Sequence, residues 1–162
     1  MVAQLTHEAF MRIAIRLSRQ AVDNGSHPFG ALLVRDGEII LEIENSVDRD
    51  HDCTQHAELK LISQATRLYD GEFLSKCTLY SSTEPCPMCA GAVFWSGIRR
   101  LVFGCSARAL AKYIGPPIFS AYTSDILTAD SQVEIIGPIL EEEAEEVHQY
   151  FSKDHEYKER WY

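Results

Sequence analysis

The sequence predicts a layered α/β domain built on a mixed sheet. Three observations carry this reading. An Asp36-Gly37 pair lies between two short apolar runs, which marks a hairpin and starts the sheet antiparallel. Beyond it, helical periodicities alternate with short apolar strands, the pattern of crossover connections and parallel pairing. And 162 residues, 46% of them hydrophobic and 24% charged, suit one globular domain with a real core.

The elements follow in order. Residues from about Thr6 to Asn24 read as a helix, with Phe10, Ile13, Ala14, Leu17 and Ala21 at helical spacing, Thr6 as its cap and Gly25 as its stop. Ala31 to Val34 and Ile39 to Leu41 are the hairpin strands. Thr54 to about Tyr69 reads as a second helix, apolar at Leu59, Leu61, Ile62 and Ala65, with His56 and Glu58 in its first turn. Thr78 to Ser81 is a short strand. Pro85 precedes a third helix, from about Cys86 to Trp95, ended by Gly97. Arg100 to Phe103 is a strand, Ser106 caps a further short helix, Val133 to Ile136 is a last strand, and Glu141 to Phe151 forms a final helix. The acidic run Glu141-Glu142-Glu143 with Glu145-Glu146 reads as a solvated helix face. No repeat, low-complexity segment or linker interrupts the chain.

The formal net charge is -9, a field that repels phosphate backbones and sets a nucleic-acid substrate at a disadvantage. Arg99-Arg100 and Arg108 with Lys112 are the basic groupings. No apolar run approaches the ~20 residues that span a bilayer. The N-terminus lacks the basic and apolar regions of a signal peptide, so a cytoplasmic location is expected. Five cysteines, two of them in a C-x-x-C, favour metal or redox chemistry over a disulfide framework in such a compartment. Cys53 and Cys77 read as packing residues.

The chemistry concentrates in two segments. His56-Ala57-Glu58 is followed, roughly 26 residues on, by Pro85-Cys86-Pro87-Met88-Cys89. His56, Cys86 and Cys89 offer one imidazole and two thiolates, three ligands for zinc with the fourth position left to water. Cys86 and Cys89, three apart, share one face of a helix start, where free N–H groups favour thiolate. Glu58, two residues past His56, points off the ligand direction and is free to act as the acid and base. A structural zinc site would want a fourth ligand. His51 and Cys53 are the nearest candidates, but they form no second ligand pair.

These segments resemble the H-x-E…P-C-x-x-C pattern of the cytidine deaminase-like superfamily, in the branch that holds bacterial guanine deaminases and tRNA adenosine deaminases. The matching residues are Pro28-Phe29-Gly30-Ala31, Asn45, His56-Ala57-Glu58, Ser82 to Cys89, and Trp95. The resemblance implies a three-layer α/β/α sandwich with about five strands, Zn2+ as cofactor, and a homodimer. It implies that Glu58 moves protons between water, a ring nitrogen and a departing amine. It implies a substrate pocket of Phe29 and His56 against the base, Asn45 on its edge, the Ala57 N–H and Glu84 carbonyl on polar atoms, and Trp95 as a wall. Apart from the resemblance, Phe29 and Trp95 read as core and Asn45 as a turn residue.

The substrate is less fixed. The acidic charge favours a free base over tRNA. The tail after residue 152, with Tyr157, Trp161 and Tyr162, resembles the aromatic segment that closes the pocket of guanine deaminases. A frayed terminus after a domain of residues 1–152 is the plainer reading. Glu84 or Asp125 could accept from a guanine-like N–H edge. The expectation is deamination of a guanine-like purine, with isoguanine, cytosine or a triazine as related substrates. Deamination of adenosine in tRNA is the alternative, and a non-catalytic zinc-stabilised binding module is the alternative of another class.

Overall fold

Among the described residues, the strands of the computed structural model form one five-stranded sheet, in the order β2-β1-β3-β4-β5. The structure describes residues 6–115 and 121–154, without the side chain of residue 154. The hairpin forms as expected: β1 (Gly30–Arg35) pairs antiparallel with β2 (Glu38–Glu44), and Asp36 and Gly37 take the positive φ angles its turn needs. β1 also pairs antiparallel with β3 (Thr78–Thr83), so antiparallel pairing runs one strand further than the hairpin. β4 (Arg100–Cys105) and β5 (Glu134–Ile136) then add in parallel.

Period-two alternation sorts the strand residues into two cores. Leu32, Val34, Tyr80 and Val102 face α1 (His7–Asp23), α6 (Ala107–Ile114) and α8 (Glu141–Asp154). Ala31, Leu33, Leu79 and Leu101 face α3 (Ala57–Leu68) and α5 (Pro87–Ser96). The result is the three-layer α/β/α sandwich. Gly30 is required where α1 crosses β1: a Cβ there would stand 2.6 Å from the Ala14 carbonyl oxygen and the Ser18 nitrogen.

Thr6 caps α1 through its hydroxyl, Ser106 caps α6, and Gly97 closes α5 at φ +83. Two expected helices start later than their periodicity suggests. α3 begins at Ala57 with His56 as N-cap, and α5 begins at Pro87 with Cys86 as N-cap. Two of the three ligand candidates, His56 and Cys86, therefore stand on cap residues, and the third, Cys89, lies in the first turn of α5. Three short helices, α2 (Val47–Asp50), α4 (Gly71–Ser75) and α7 (Thr123–Ile126), lie below the length at which periodicity is visible. α4 is set instead by a local cap, Asp70 Oδ1 accepting from the Phe73 N–H at 2.8 Å. α8 runs to Asp154, past the boundary drawn at residue 152.

The acidic run is not simply solvated. Along α8, Glu143 pairs with Arg12 at 3.0 Å and Glu146 with Arg19 at 3.7 Å, both on α1, while Glu145 pairs with Lys112 of α6 at 2.8 Å. Glu141 accepts from the Ser106 hydroxyl and N–H. Each exposed pair is weak by itself, but together they match α8 to two cationic neighbours. The sequence pattern shows the acidic face and not the cations that meet it. Cys77 is buried as expected, and Cys53 is exposed.

His148 of α8 is 1% exposed, with Nε2 2.8 Å from the Thr83 hydroxyl. Burial pushes its imidazole down to about 3. The folded chain therefore holds it neutral at pH values where the unfolded chain, with an ordinary pKa of about 6.5, takes a proton. Stability should fall as pH drops from about 6.5 towards 3, with this group contributing up to about 1.4 kcal/mol per pH unit. Urea denaturation at pH 7, 6 and 5 should show a shallower loss for His148→Gln than for the natural chain. Equal slopes would mean that His148 does not set the acid limit.

Candidate metal centre and active site

The parallel crossover from β3 to β4 puts the start of α5 beyond the carboxyl end of β3. Glu84, Pro85 and Cys86 make that turn, and Pro87 at the first helical position fits the fixed φ of proline. α3, on the same face of the sheet, brings its own start to the same place. His56, Cys86 and Cys89 then meet, with their ligand atoms all within 4.8 Å of one another. Both sulfurs lie 3.6 Å from His56 Nδ1. Donors at about 2.3 Å (S) and about 2.0–2.1 Å (N) from one tetrahedral ion would be separated by about 3.6 Å. The donor set fits zinc both in chemistry and in spacing.

The electrostatics agree. Helix N-termini carry partial positive charge, and the chain places a thiolate there. The Cys86 thiol is pulled down to about 4, first by the hydrogen bond with Cys89 and then by His56, against its burial. Cys89 is pushed up by the same contact and by complete burial.

Glu58 stands in the first turn of α3 and is 4% exposed. Its Oε1 accepts from the Ser81 hydroxyl at 2.9 Å, while Oε2 lies 3.8 Å from Cys89 Sγ. The carboxyl is thus beside the ligand cluster and outside it. Burial pushes its proton affinity above the ordinary carboxylate range, with the Ser81 hydrogen bond opposing weakly.

The other candidate residues have more varied surroundings. Phe29 is half-buried, its ring 5.3 Å from that of His148, and its carbonyl accepts from the Asn45 N–H at 2.9 Å. Asn45 is 2% exposed, and its Oδ1 accepts from the Val47 N–H, so the turn role and burial coincide. Ala57 is fully buried at the first position of α3, where a helix leaves its N–H without an intrahelical partner.

Both carboxylates considered as acceptors for a guanine edge are engaged elsewhere. Glu84 accepts from the Ala107 N–H at 2.8 Å and the Thr123 N–H at 3.1 Å, tying the starts of α6 and α7 to the metal turn. Asp125 accepts from the Tyr122 N–H at 2.7 Å within a capping box. Trp95 is 84% exposed beside the half-exposed Phe94, so among the described residues of one chain it does not wall a pocket. Tyr162, with the rest of the aromatic tail, lies outside the described residues.

Sequence reasoning gave no individual role to Ser81, Thr83 or His148, which the structure brings next to Glu58 and the turn after β3. The available signal was the run Thr78-Leu79-Tyr80-Ser81-Ser82-Thr83: hydroxyls are common in exposed strands, but all six of these residues are buried.

A mixed sheet in this order, with the ligand cluster on two helix starts, is the architecture of the nucleobase and nucleoside deaminases. The chain aligns with a variant of NE0047 solved in complex with 8-azaguanine at a TM-score of 0.82 and 25% identity, covering 94% of this chain and 87% of that one. The cytidine and deoxycytidylate deaminase zinc-binding region matches residues 4–105, and the chain belongs to that family. It is 46% identical over 143 residues to a probable cytosine deaminase of Schizosaccharomyces pombe, covering 84% of this chain and 86% of the relative. It is 35% identical over 146 residues to a tRNA-specific adenosine deaminase of Aquifex aeolicus, covering 90% and 94%.

Loss of any one donor should empty the site. Cys89→Ser and His56→Ala should hold less than a tenth of the zinc of the natural chain after dialysis, by elemental analysis, whereas Glu58→Gln should keep its full complement. Zinc retained by both ligand variants would reject the assignment.

Proposed function

We propose that the chain is a zinc-dependent hydrolase that releases ammonia from a free amino-bearing nucleobase, a guanine-like purine first, with isoguanine, cytosine or a triazine as related substrates. The observation that carries this is Glu58: a buried carboxyl with raised proton affinity, one oxygen facing the donor cluster, and no place among the donors. Zinc held by His56, Cys86 and Cys89 would supply a Lewis acid that makes water nucleophilic at neutral pH.

The chain's own residues do the rest. Glu58 takes a proton from the attacking water through Oε2 and gives it to a ring nitrogen. The water oxygen bonds to the ring carbon that bears the exocyclic amine, and Glu58 then helps move the remaining proton of that hydroxyl to the amine. The bond from ring carbon to that nitrogen breaks, ammonia leaves, and the ring keeps the oxygen. One carboxyl can both accept and donate because burial brings its proton affinity closer to neutral pH. With Oδ1 engaged by Val47, Asn45 has its Nδ2 donor to offer, which suits a ring nitrogen or carbonyl acceptor. Phe29, the Ala57 N–H and the Glu84 carbonyl complete the proposed base contacts.

A small base is favoured over tRNA by the net charge of -9. The 8-azaguanine complex of a structural neighbour and the probable cytosine deaminase among the relatives support the same choice. Deamination of tRNA adenosine is the second reading, supported by the Aquifex aeolicus relative. Ammonia release across guanine, isoguanine, cytosine, an aminotriazine, adenosine and tRNA separates them. Turnover on free bases is expected, and turnover confined to tRNA would reject the first reading. Glu58→Gln should lower kcat by at least about 10³-fold with zinc retained. An unchanged kcat would reject Glu58 as the proton carrier, and no turnover by the natural chain on any of these substrates would leave a zinc-stabilised binding role.

A homodimer is proposed on α5, whose outer face exposes Met88, Phe94 and Trp95. Sedimentation of Trp95→Glu should shift from dimer to monomer. A cytoplasmic location is part of the same proposal. Among the described residues no helix is long and apolar enough to cross a membrane.

A further inference from the structure

We propose that Ser81 is a positioning residue for proton transfer: its hydroxyl, fixed between the Thr83 carbonyl and Glu58 Oε1, holds the Glu58 carboxyl so that Oε2 alone faces the reacting atoms. This deepens the deaminase reading and rests on it. Ser81 lies on the central strand β3, is 1% exposed, and is not part of the ligand cluster. Its Oγ is 2.9 Å from Glu58 Oε1 and 2.7 Å from the Thr83 carbonyl oxygen.

The need for such a residue follows from the torsion. The last torsion of a glutamate is broad and nearly two-fold, so the backbone and Cβ of α3 do not by themselves decide which carboxyl oxygen points where. A single hydroxyl proton serves two acceptors here, shared or handed between them, and in either case it marks Oε1 as the oxygen turned to β3. Oε2 is left 3.8 Å from Cys89 Sγ, on the side of the donor cluster. The support extends one step further back. The Thr83 hydroxyl is 2.8 Å from Nε2 of buried His148, so α8 steadies the residue whose carbonyl holds Ser81. A proton donor displaced by about 1 Å can lose about 10²-fold in rate, so this small contact bears on turnover.

Three measurements on Ser81→Ala and Ser81→Thr test the assignment. With zinc content equal to the natural chain, Ser81→Ala should lose about 10- to 100-fold in kcat on the best base with KM within about 3-fold, because the base still binds while the proton path is loosened. Ser81→Thr, which restores the hydroxyl, should recover most of kcat; failure to recover, in a variant that melts within a few degrees of the natural chain, counts against the proposal. A crystal structure of Ser81→Ala gives a readout apart from activity. The Glu58 carboxyl should be rotated or split between two orientations. A carboxyl unmoved, or kcat unchanged, would overturn the role of Ser81. If the natural chain turns over none of the bases, the substrate reading fails instead, and the Glu58 orientation in the Ser81→Ala crystal still decides this one.

Discussion

The site depends on two helix N-termini aimed at one point. Like partial charges converge there, and the convergence is stable only if negative charge lies between them. Two cysteines supply it, one at the N-cap position of α5 and one inside its first turn, while His56 occupies the N-cap position of α3. The parallel crossover from β3 to β4 puts this point at the carboxyl end of the central strand, where open α/β sheets characteristically place their ligands.

The same geometry divides the acidic groups by task. Glu58 is buried beside the cluster, with Oε1 on the Ser81 hydroxyl and Oε2 towards Cys89 Sγ. Glu84, only two residues before Cys86, spends its carboxylate on the starts of α6 and α7. Asp125 is absorbed by a local cap. Three carboxylates of similar intrinsic acidity therefore end with different roles, set by what each finds to bond.

Charge on the rest of the molecule is arranged for cohesion as well as exclusion. The excess of acidic groups disfavours polyanions. Yet the densest acidic stretch, on α8, is also the part that meets Arg12, Arg19 and Lys112. His148 from the same helix packs against Phe29 and bonds to Thr83, so the final helix supports the strand end beside the ligand cluster.

The sequence by itself determined what depends on spacing. Asp36-Gly37 between apolar runs specifies a hairpin because few other turns match strand twist. The interval between Cys86 and Cys89 places two sulfurs on one side of a helix start, and His56 two residues before Glu58 separates ligand from acid. Only the tertiary structure decided what depends on partners distant in the chain. Ser81 and Glu58 are 23 residues apart, and Thr83 and His148 are 65 apart, with no local pattern to announce either contact. Nor could the sequence say that the Glu84 carboxylate is engaged, since α7 is too short to show a period. Spacing along one element is written in the chain, whereas the pairing of buried polar groups is settled only when the sheet and its two helical layers close around them.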